Sequence, residues 1–494
     1  MGECTVDEES IADALGAWGS ETGPLYLTLA SALDELIRAG RLEVGSRLPA
    51  ERRLAASLHV SRGTVVAAYD ELRRRGRLVT RQGSGTAVAG ESERDAVHVF
   101  DPVPEHGGIF DGFLDHEHPV DEVIDLRSAY WMGVDDLPPD SFVLPAEEWQ
   151  EALRGAGYHP AGYPALREAI AARLSRLGLS TTSEEILVTN GAQQALALTV
   201  QANLAPNDLC VVEELTYPGI IGLVKALRGR LHTTPIDSSG VDVELLDRAV
   251  RRVKPEVVYL MANVHNPTGA LFPEHRRREL AEVAATWDAV VIDDRTLVEL
   301  TIDGSIPLPL GAAPNEPLPN VVSIGSTSKS LWGGLRVGWI RADVAQIDRF
   351  ARLKALMDLG TPIASQMMAT RLLPLSEGLS SRRRVELKQR RDALVDALHE
   401  LIPDWTFDIP DGGLCLWVRL PVDDVRRFIP YAARHGVGLA PGDVSSPDGS
   451  GRDHLRLPFG HCAEDLLDAV DRLALAWADM QHRPARTRRV GVIV

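Results

Sequence analysis

The stretch Val321-Val-Ser-Ile-Gly-Ser-Thr-Ser-Lys-Ser-Leu-Trp-Gly-Gly-Leu-Arg-Val-Gly-Trp339 decides how the chain is read. Its opening run, Val321–Ile324, is apolar and has the length of a buried strand. At the carboxyl end of that run comes a hydroxyl-rich turn, Ser326-Thr-Ser-Lys329. A lysine amine condenses with an aldehyde when its surroundings lower its pKa enough to leave it unprotonated. Ser326, Ser328 and Arg336 supply hydroxyls and a guanidinium suited to a phosphate dianion. Ser-x-Ser-Lys alone is common on protein surfaces. The neighbouring Gly333-Gly-Leu-Arg-Val-Gly-Trp339 is what gives it weight.

Four more apolar runs, Ile186–Thr189, Leu209–Glu213, Val257–Met261 and Ala289–Asp293, alternate with helical patterns. That alternation predicts a mainly parallel α/β sheet. Ligands of such sheets bind beyond the carboxyl ends of the strands. There the sequence places Gly191-Ala-Gln-Gln194, Asn266-Pro-Thr-Gly269 and Asp293. The backbone N–H groups of Ala192 and Gln193 open a helix and can take up phosphate.

The amino-terminal part has a different chemistry. The chain of 494 residues carries a net charge of −18, yet between Arg41 and Arg81 ten arginines face four carboxylates, a surplus of six. A basic island in an acidic chain suggests a module that binds nucleic acid. A helical period (Leu25, Leu29, Leu33, Leu36, Ile37) is followed by a second helix, Glu51–His59, and Ser61 is a good N-cap for a third, which runs to about Arg75. Leu78–Arg81 and Thr86–Val88 flank a Gln-Gly-Ser-Gly turn and read as a β-wing. Residues 1–22 read as an acidic tail, 23–89 as the winged helix, 90–122 as a linker and 123–494 as the large unit.

The run Leu48-Pro-Ala-Glu-Arg-Arg-Leu-Ala-Ala-Ser-Leu-His-Val-Ser-Arg-Gly-Thr-Val-Val-Ala-Ala-Tyr-Asp-Glu-Leu72 resembles the helix-turn-helix of GntR-family regulators. The second helix of such a pair lies in the major groove with its first residues at the base edges. The resemblance implies DNA contacts from Arg52, Ser61, Arg62 and Thr64, with Arg81 and Gly83 placing the wing. Gly63 and Val66 stand where the family often has longer polar residues.

From about Asp125 onward the chain resembles fold-type-I aminotransferases, and the whole layout resembles MocR-type regulators. This implies a large parallel-sheet domain and a small C-terminal α+β domain that bind pyridoxal 5′-phosphate (PLP). By the same resemblance Lys329 is the lysine to which PLP attaches. Asp293 pairs with the pyridine nitrogen, Asn266 donates to the ring hydroxyl and Tyr217 stacks on the ring. Ser326, Ser328, Arg336, Ala192 and Gln193 hold the phosphate. Tyr158 reaches the phosphate of a neighbouring subunit, which implies a homodimer, and Arg456 grips the carboxylate of an amino-acid effector. One departure stands out: Arg295 aligns where relatives carry a tyrosine bonded to the ring oxygen, and its fixed charge would disfavour efficient amino transfer.

Composition narrows the classes. Hydrophobic residues make up 45% of the chain, but the longest apolar stretches, such as Val257–Ala262, are too short to span a bilayer. The acidic start lacks the apolar core of a signal peptide. Cys4, Cys210, Cys415 and Cys462 have no metal or redox spacing, and a reducing, cytoplasmic setting is expected. Three functions follow. The chain is a PLP-binding regulator answering to PLP or a small amine or amino acid, an active aminotransferase carrying a DNA-binding head, or a GntR regulator whose large unit only dimerises. The head favours regulation over turnover. The lysine, aspartate, asparagine and arginine of the cofactor motifs disfavour an empty scaffold.

Overall fold

The computed structural model describes residues 8–15, 25–38, 41–42, 46–58, 60–74, 78–81, 85–88, 123–130, 136–137, 139–312 and 318–482. The expected linker, 90–122, lies outside these residues, as does Gly83. The chain divides into two compact units, Met1–Val103 and Pro104–Val494.

In the first unit the helical period produces the helix Leu25–Arg38, followed by the helices Glu51–Ser57 and Arg62–Arg74. Leu29, Leu33, Leu54, Val65 and Leu72 are fully buried, whereas Leu25, counted in the periodic stripe, is exposed. Strands Leu78–Arg81 and Gly85–Val88 pair antiparallel, Leu78 opposite Val88. Ser46 and Leu48 extend this wing: Leu48 N–H donates to Thr86 O and Val88 N–H to Ser46 O, each at 2.9 Å. The expected acidic tail needs correction at its centre. Glu8–Leu15 is a helix, and Ile11 is buried within the same core as Leu29 and Leu33. Eight residues with only Ile11 and Leu15 as large apolar side chains give too short a period for a sequence reading to detect.

The second unit is built on a seven-stranded sheet in the order Ile186–Thr189, Gly338–Arg341, Val321–Ser326, Val290–Asp294, Val257–Leu260, Leu209–Glu213 and Arg230–Thr234. Neighbours are parallel except around Gly338–Arg341, which runs antiparallel to both partners. That strand was not expected, because its four residues sit inside a glycine-rich motif. Side chains alternate across the sheet. Tyr259 and Ile292 pack on one face with Leu187, while Val258, Leu260 and Val291 pack on the other with Leu280 and Trp287.

The C-terminal part sets the antiparallel pair Cys415–Arg419 and His454–Pro458 beside the long helices Ser376–Leu401 and Ala463–His482. Ile124–Asp125 pairs in parallel with Val437–Gly438. This pairing carries residues 126–130 toward the carboxyl ends of the sheet strands. Among the described residues no helix is long and apolar enough to cross a membrane.

Candidate functional site

The head presents its polar residues at the start of one helix. Ser61 Oγ accepts the Thr64 backbone N–H at 3.1 Å, the capping bond its position predicts, and lies 2.8 Å from Thr64 Oγ1. Arg52, Ser61 and Arg62 are exposed and Thr64 is half-buried. Arg62 stands 3.8 Å from Glu51. So exposed a pair is weak, and the guanidinium can exchange it for a phosphate or a base edge. Tyr69 Oη donates to Pro49 O at 3.0 Å, tying the helix Arg62–Arg74 to the turn before its partner. Arg81 ends the first wing strand, opposite Gly85; its side chain lies outside what the structure describes.

In the second unit a cleft of about 150 Å³ opens at the carboxyl ends of the strands. Lys329, Asn266, Tyr217, Ala192, Gln193 and Arg456, all named from the sequence, line it. Lys329 sits on a short π-helix, Ser328–Trp332, and its Nζ donates to Ala129 O at 2.8 Å. Burial brings its pKa down to about 8; the Cys415 thiol opposes the shift and the Arg456 guanidinium reinforces it. About a tenth of the amine is therefore neutral at pH 7, against a trace for an ordinary lysine. Tyr217 Oη donates to Gln193 Oε1 at 2.9 Å, and burial raises its pKa to about 12. Arg456 is buried, with Nη2 donating to Arg127 O at 3.0 Å and Nε without a partner among the described residues. Asn266 Oδ1 is likewise buried and unpartnered.

The carboxylate in this cleft is Asp294 and not Asp293. Strand alternation is the cause. Asp294 shares the face of Ile292 and Tyr259, and its Oδ2 accepts from Tyr259 Oη at 2.7 Å. Its Oδ1 accepts from Thr296 N–H at 2.9 Å and Thr296 Oγ1 at 2.6 Å. Asp293 faces the other way, accepting from Leu310 N–H at 3.2 Å and standing 3.8 Å from Arg295. The same alternation corrects the reading of Arg295. Its guanidinium is buried away from the cleft, donating to Leu308 O at 3.0 Å and Pro307 O at 2.8 Å. The residue beside the cleft carboxylate is Thr296.

The sequence reading also missed the groups behind this carboxylate. Burial pushes the Glu213 carboxyl up to about 8, and the neighbouring Asp294 adds to the rise. Burial lowers His265 to about 4, so the 3.7 Å approach of His265 to Glu213 is not an ion pair near neutral pH. Tyr259 is raised well above its usual value, first by burial and then by Asp294, and stays a donor.

The helix Gly191–Asn203 begins beside Arg336. Gly191 has φ +76°, and a Cβ there would lie 2.8 Å from Arg336 Nη2. A Cβ on Gly338 would lie 2.7 Å from Ala192 N. Only glycines leave these N–H groups and the guanidinium open to a small anion. Behind the turn, Asp358 accepts from Asn190 Nδ2 at 2.8 Å and Gln194 Nε2 at 2.7 Å, with buried Lys354 donating to the same carboxylate. Ser326 and Ser328 bond to one another at 2.9 Å and do not line the cleft. Tyr158 is 68% exposed.

PLP suits this arrangement. It has an aldehyde for a near-neutral lysine, a ring nitrogen and ring hydroxyl for Asp294 and Asn266, and a phosphate for the glycine-framed helix start. The idle polar atoms of Asn266 and Arg456 are the kind that a bound ligand satisfies.

Residues 138–473 match the class I and II aminotransferases, and residues 25–88 match the bacterial regulatory proteins of the gntR family. An uncharacterized HTH-type transcriptional regulator of Bacillus subtilis, YisV, is 29% identical over 459 residues, covering 89% of this chain and 93% of its own. The probable rhizopine catabolism regulatory protein MocR of Rhizobium meliloti is 29% identical over 417 residues, covering 80% and 82%. Among solved structures, Pyrococcus horikoshii kynurenine aminotransferase in complex with PMP is similar with a TM-score of 0.69 at 26% identity, covering 80% of this chain and 99% of that one.

Proposed function

The chain belongs to the class I and II aminotransferases, a PLP-dependent family, and bears a gntR-family head; from this pairing we propose that it is a MocR-type transcription regulator whose large unit senses PLP or a small amine or amino acid. The observation that carries the reading is one cleft in which a lysine brought down to about 8 shares its walls with the carboxylate of Asp294 and the buried guanidinium of Arg456, on the chain that also carries a capped DNA-reading helix.

Lys329 would hold the cofactor covalently, Asp294 would face its ring nitrogen, Asn266 its hydroxyl, and the helix start with Arg336 its phosphate. Once bound, PLP would supply an aldehyde that reacts with amines and an electron-poor ring that withdraws charge from them. Arg456 offers a bidentate fork to an effector carboxylate. An effector that fits one arrangement of the large unit better than another shifts the population, and two heads on a homodimer then read two half-sites differently. Tyr158, at the surface, would complete the partner's phosphate site.

Amino transfer is the second reading, and one observation favours it. Arg295 places no charge in the cleft, so the objection it raised to turnover is removed. The test is direct. Purified full-length protein is titrated with PLP, and binding to operator DNA from its own upstream region is measured with and without an amine. A visible band dependent on Lys329 together with amine-sensitive DNA binding supports the regulator. Multiple turnovers of amino transfer to a keto acid with DNA binding indifferent to amines support the enzyme.

A further inference from the structure

The π-helix Ser328–Trp332 has two sides. Lys329 serves the cleft described above, while the next residue, Ser330, lines a separate cavity of about 420 Å³. Its floor is the strand segment from Ser323 to Ser326. Its walls come from the helices Pro164–Arg176 and Ser376–Leu401 and from the loop holding Arg295.

Four arginines (Arg173, Arg176, Arg295, Arg384) and two glutamates (Glu299, Glu377) line this space. Asp293, 3.8 Å from Arg295, offsets one of the two surplus positive charges. Arg176, largely exposed, has Glu377 at 3.6 Å. Arg173 is held by Glu299 and Ser376, each at 2.7 Å, and Arg295 by two carbonyls. Arg384 makes one long bond to Gly304 O, at 3.3 Å, and its buried Nε has no partner among the described residues. Ser330 is 3% exposed and its Oγ is also unpartnered. Two idle donors and a surplus cation on the wall of this hollow are costly unless something accepts from them.

We propose that this cavity is a second binding site, for a small oxyanion of the carboxylate or phosphate-ester class, held by Arg384 and Ser330. Occupancy would be felt at the first cleft, because Ser330 adjoins Lys329 and Thr296 lines both cavities. The site is independent of whether the first cleft holds PLP.

Isothermal titration of the full chain with inorganic phosphate, and separately with succinate, tests this in the wild type and in Arg384→Gln, Ser330→Leu and Arg336→Gln. At least one anion is expected to bind at low-millimolar concentration. Arg384→Gln should weaken it about tenfold, the loss of one charge-assisted hydrogen bond. Ser330→Leu should block the Ser330 side of the hollow and abolish the Arg384-dependent binding, whereas Arg336→Gln should remove only phosphate taken up at the helix start and leave the Arg384-dependent binding in place. Phosphate alone binding identifies a phosphate ester, and succinate alone a carboxylate. Loss of all anion binding in Arg336→Gln, with binding unchanged in Arg384→Gln, would put the anion at the helix start and overturn the proposal. So would the absence of binding by either anion. Arg384 is only half-buried on a long helix, so its variant decides the matter should Ser330→Leu fail to fold.

Discussion

The head and the cleft are built by different kinds of local rule. In the head, Ser61, Arg62 and Thr64 gather at the first turn of one helix. There a shift of one residue turns a side chain by about 100° and a shift of three or four returns it to the same face. In the cleft, function lies at the ends of strands, where a shift of one residue turns a side chain to the opposite face of the sheet. Ser61 and Arg62 occupy the places their spacing predicts, whereas Asp293 and Arg295 lie on the reverse of the sheet from Asp294 and Thr296. Helical sites are thus legible to within a turn, and strand-end sites only once the face of one neighbour is known.

The strongest way to break this contrast is to remove the lysine. Lys329→Ala is expected to abolish covalent PLP attachment and its visible absorbance entirely while DNA still binds. Retention of the band would detach the cleft from the cofactor.

The paired aspartates sharpen the contrast more than any other positions. Asp294→Asn should weaken PLP retention at least tenfold in dialysis. Asp293→Asn should leave the cofactor spectrum in place but lower stability by about 1–3 kcal/mol in urea unfolding, since buried Arg295 loses its nearest carboxylate. The reverse pattern would restore the reading made from the sequence.

In the head, Arg62→Ala should cost about 1–3 kcal/mol of operator affinity at fixed salt. An unchanged affinity would remove Arg62 from the docking surface. A smaller effect comes from Ser61→Ala, which deletes the Thr64 cap and should destabilise the head by about 1 kcal/mol in thermal unfolding.

The pH dependence of PLP capture is the mildest test. With the Lys329 amine lowered to about 8, the reactive neutral form grows as pH rises toward that value. The capture rate should climb from pH 6 to about 8 and then level off. An ordinary lysine would keep climbing past pH 10.

Much of the architecture was legible in advance. The strands Ile186–Thr189 and Leu209–Glu213 have the expected bounds, two others differ by one or two residues at an end, and the expected Ala289–Asp293 is shifted by one to Val290–Asp294. Five of the ten expected cofactor residues line the cleft, as does Arg456, expected to grip an effector carboxylate. The remainder was hidden for identifiable reasons. Gly338–Arg341 is a strand by virtue of its two neighbours and not of its own composition. Tyr259 and Glu213 read as parts of apolar runs, and only strand pairing brings them behind Asp294. The Asn190–Asp358–Lys354 support joins residues more than 160 positions apart, a separation that no local period reports.

The chain contains only five lysines, Lys225, Lys254, Lys329, Lys354 and Lys388, which makes the decisive measurement simple. After incubation with PLP and borohydride reduction, peptide mass mapping should find the pyridoxyl adduct on Lys329 alone, in near-stoichiometric amount. An adduct spread over the exposed lysines, or none on Lys329, would contradict the account.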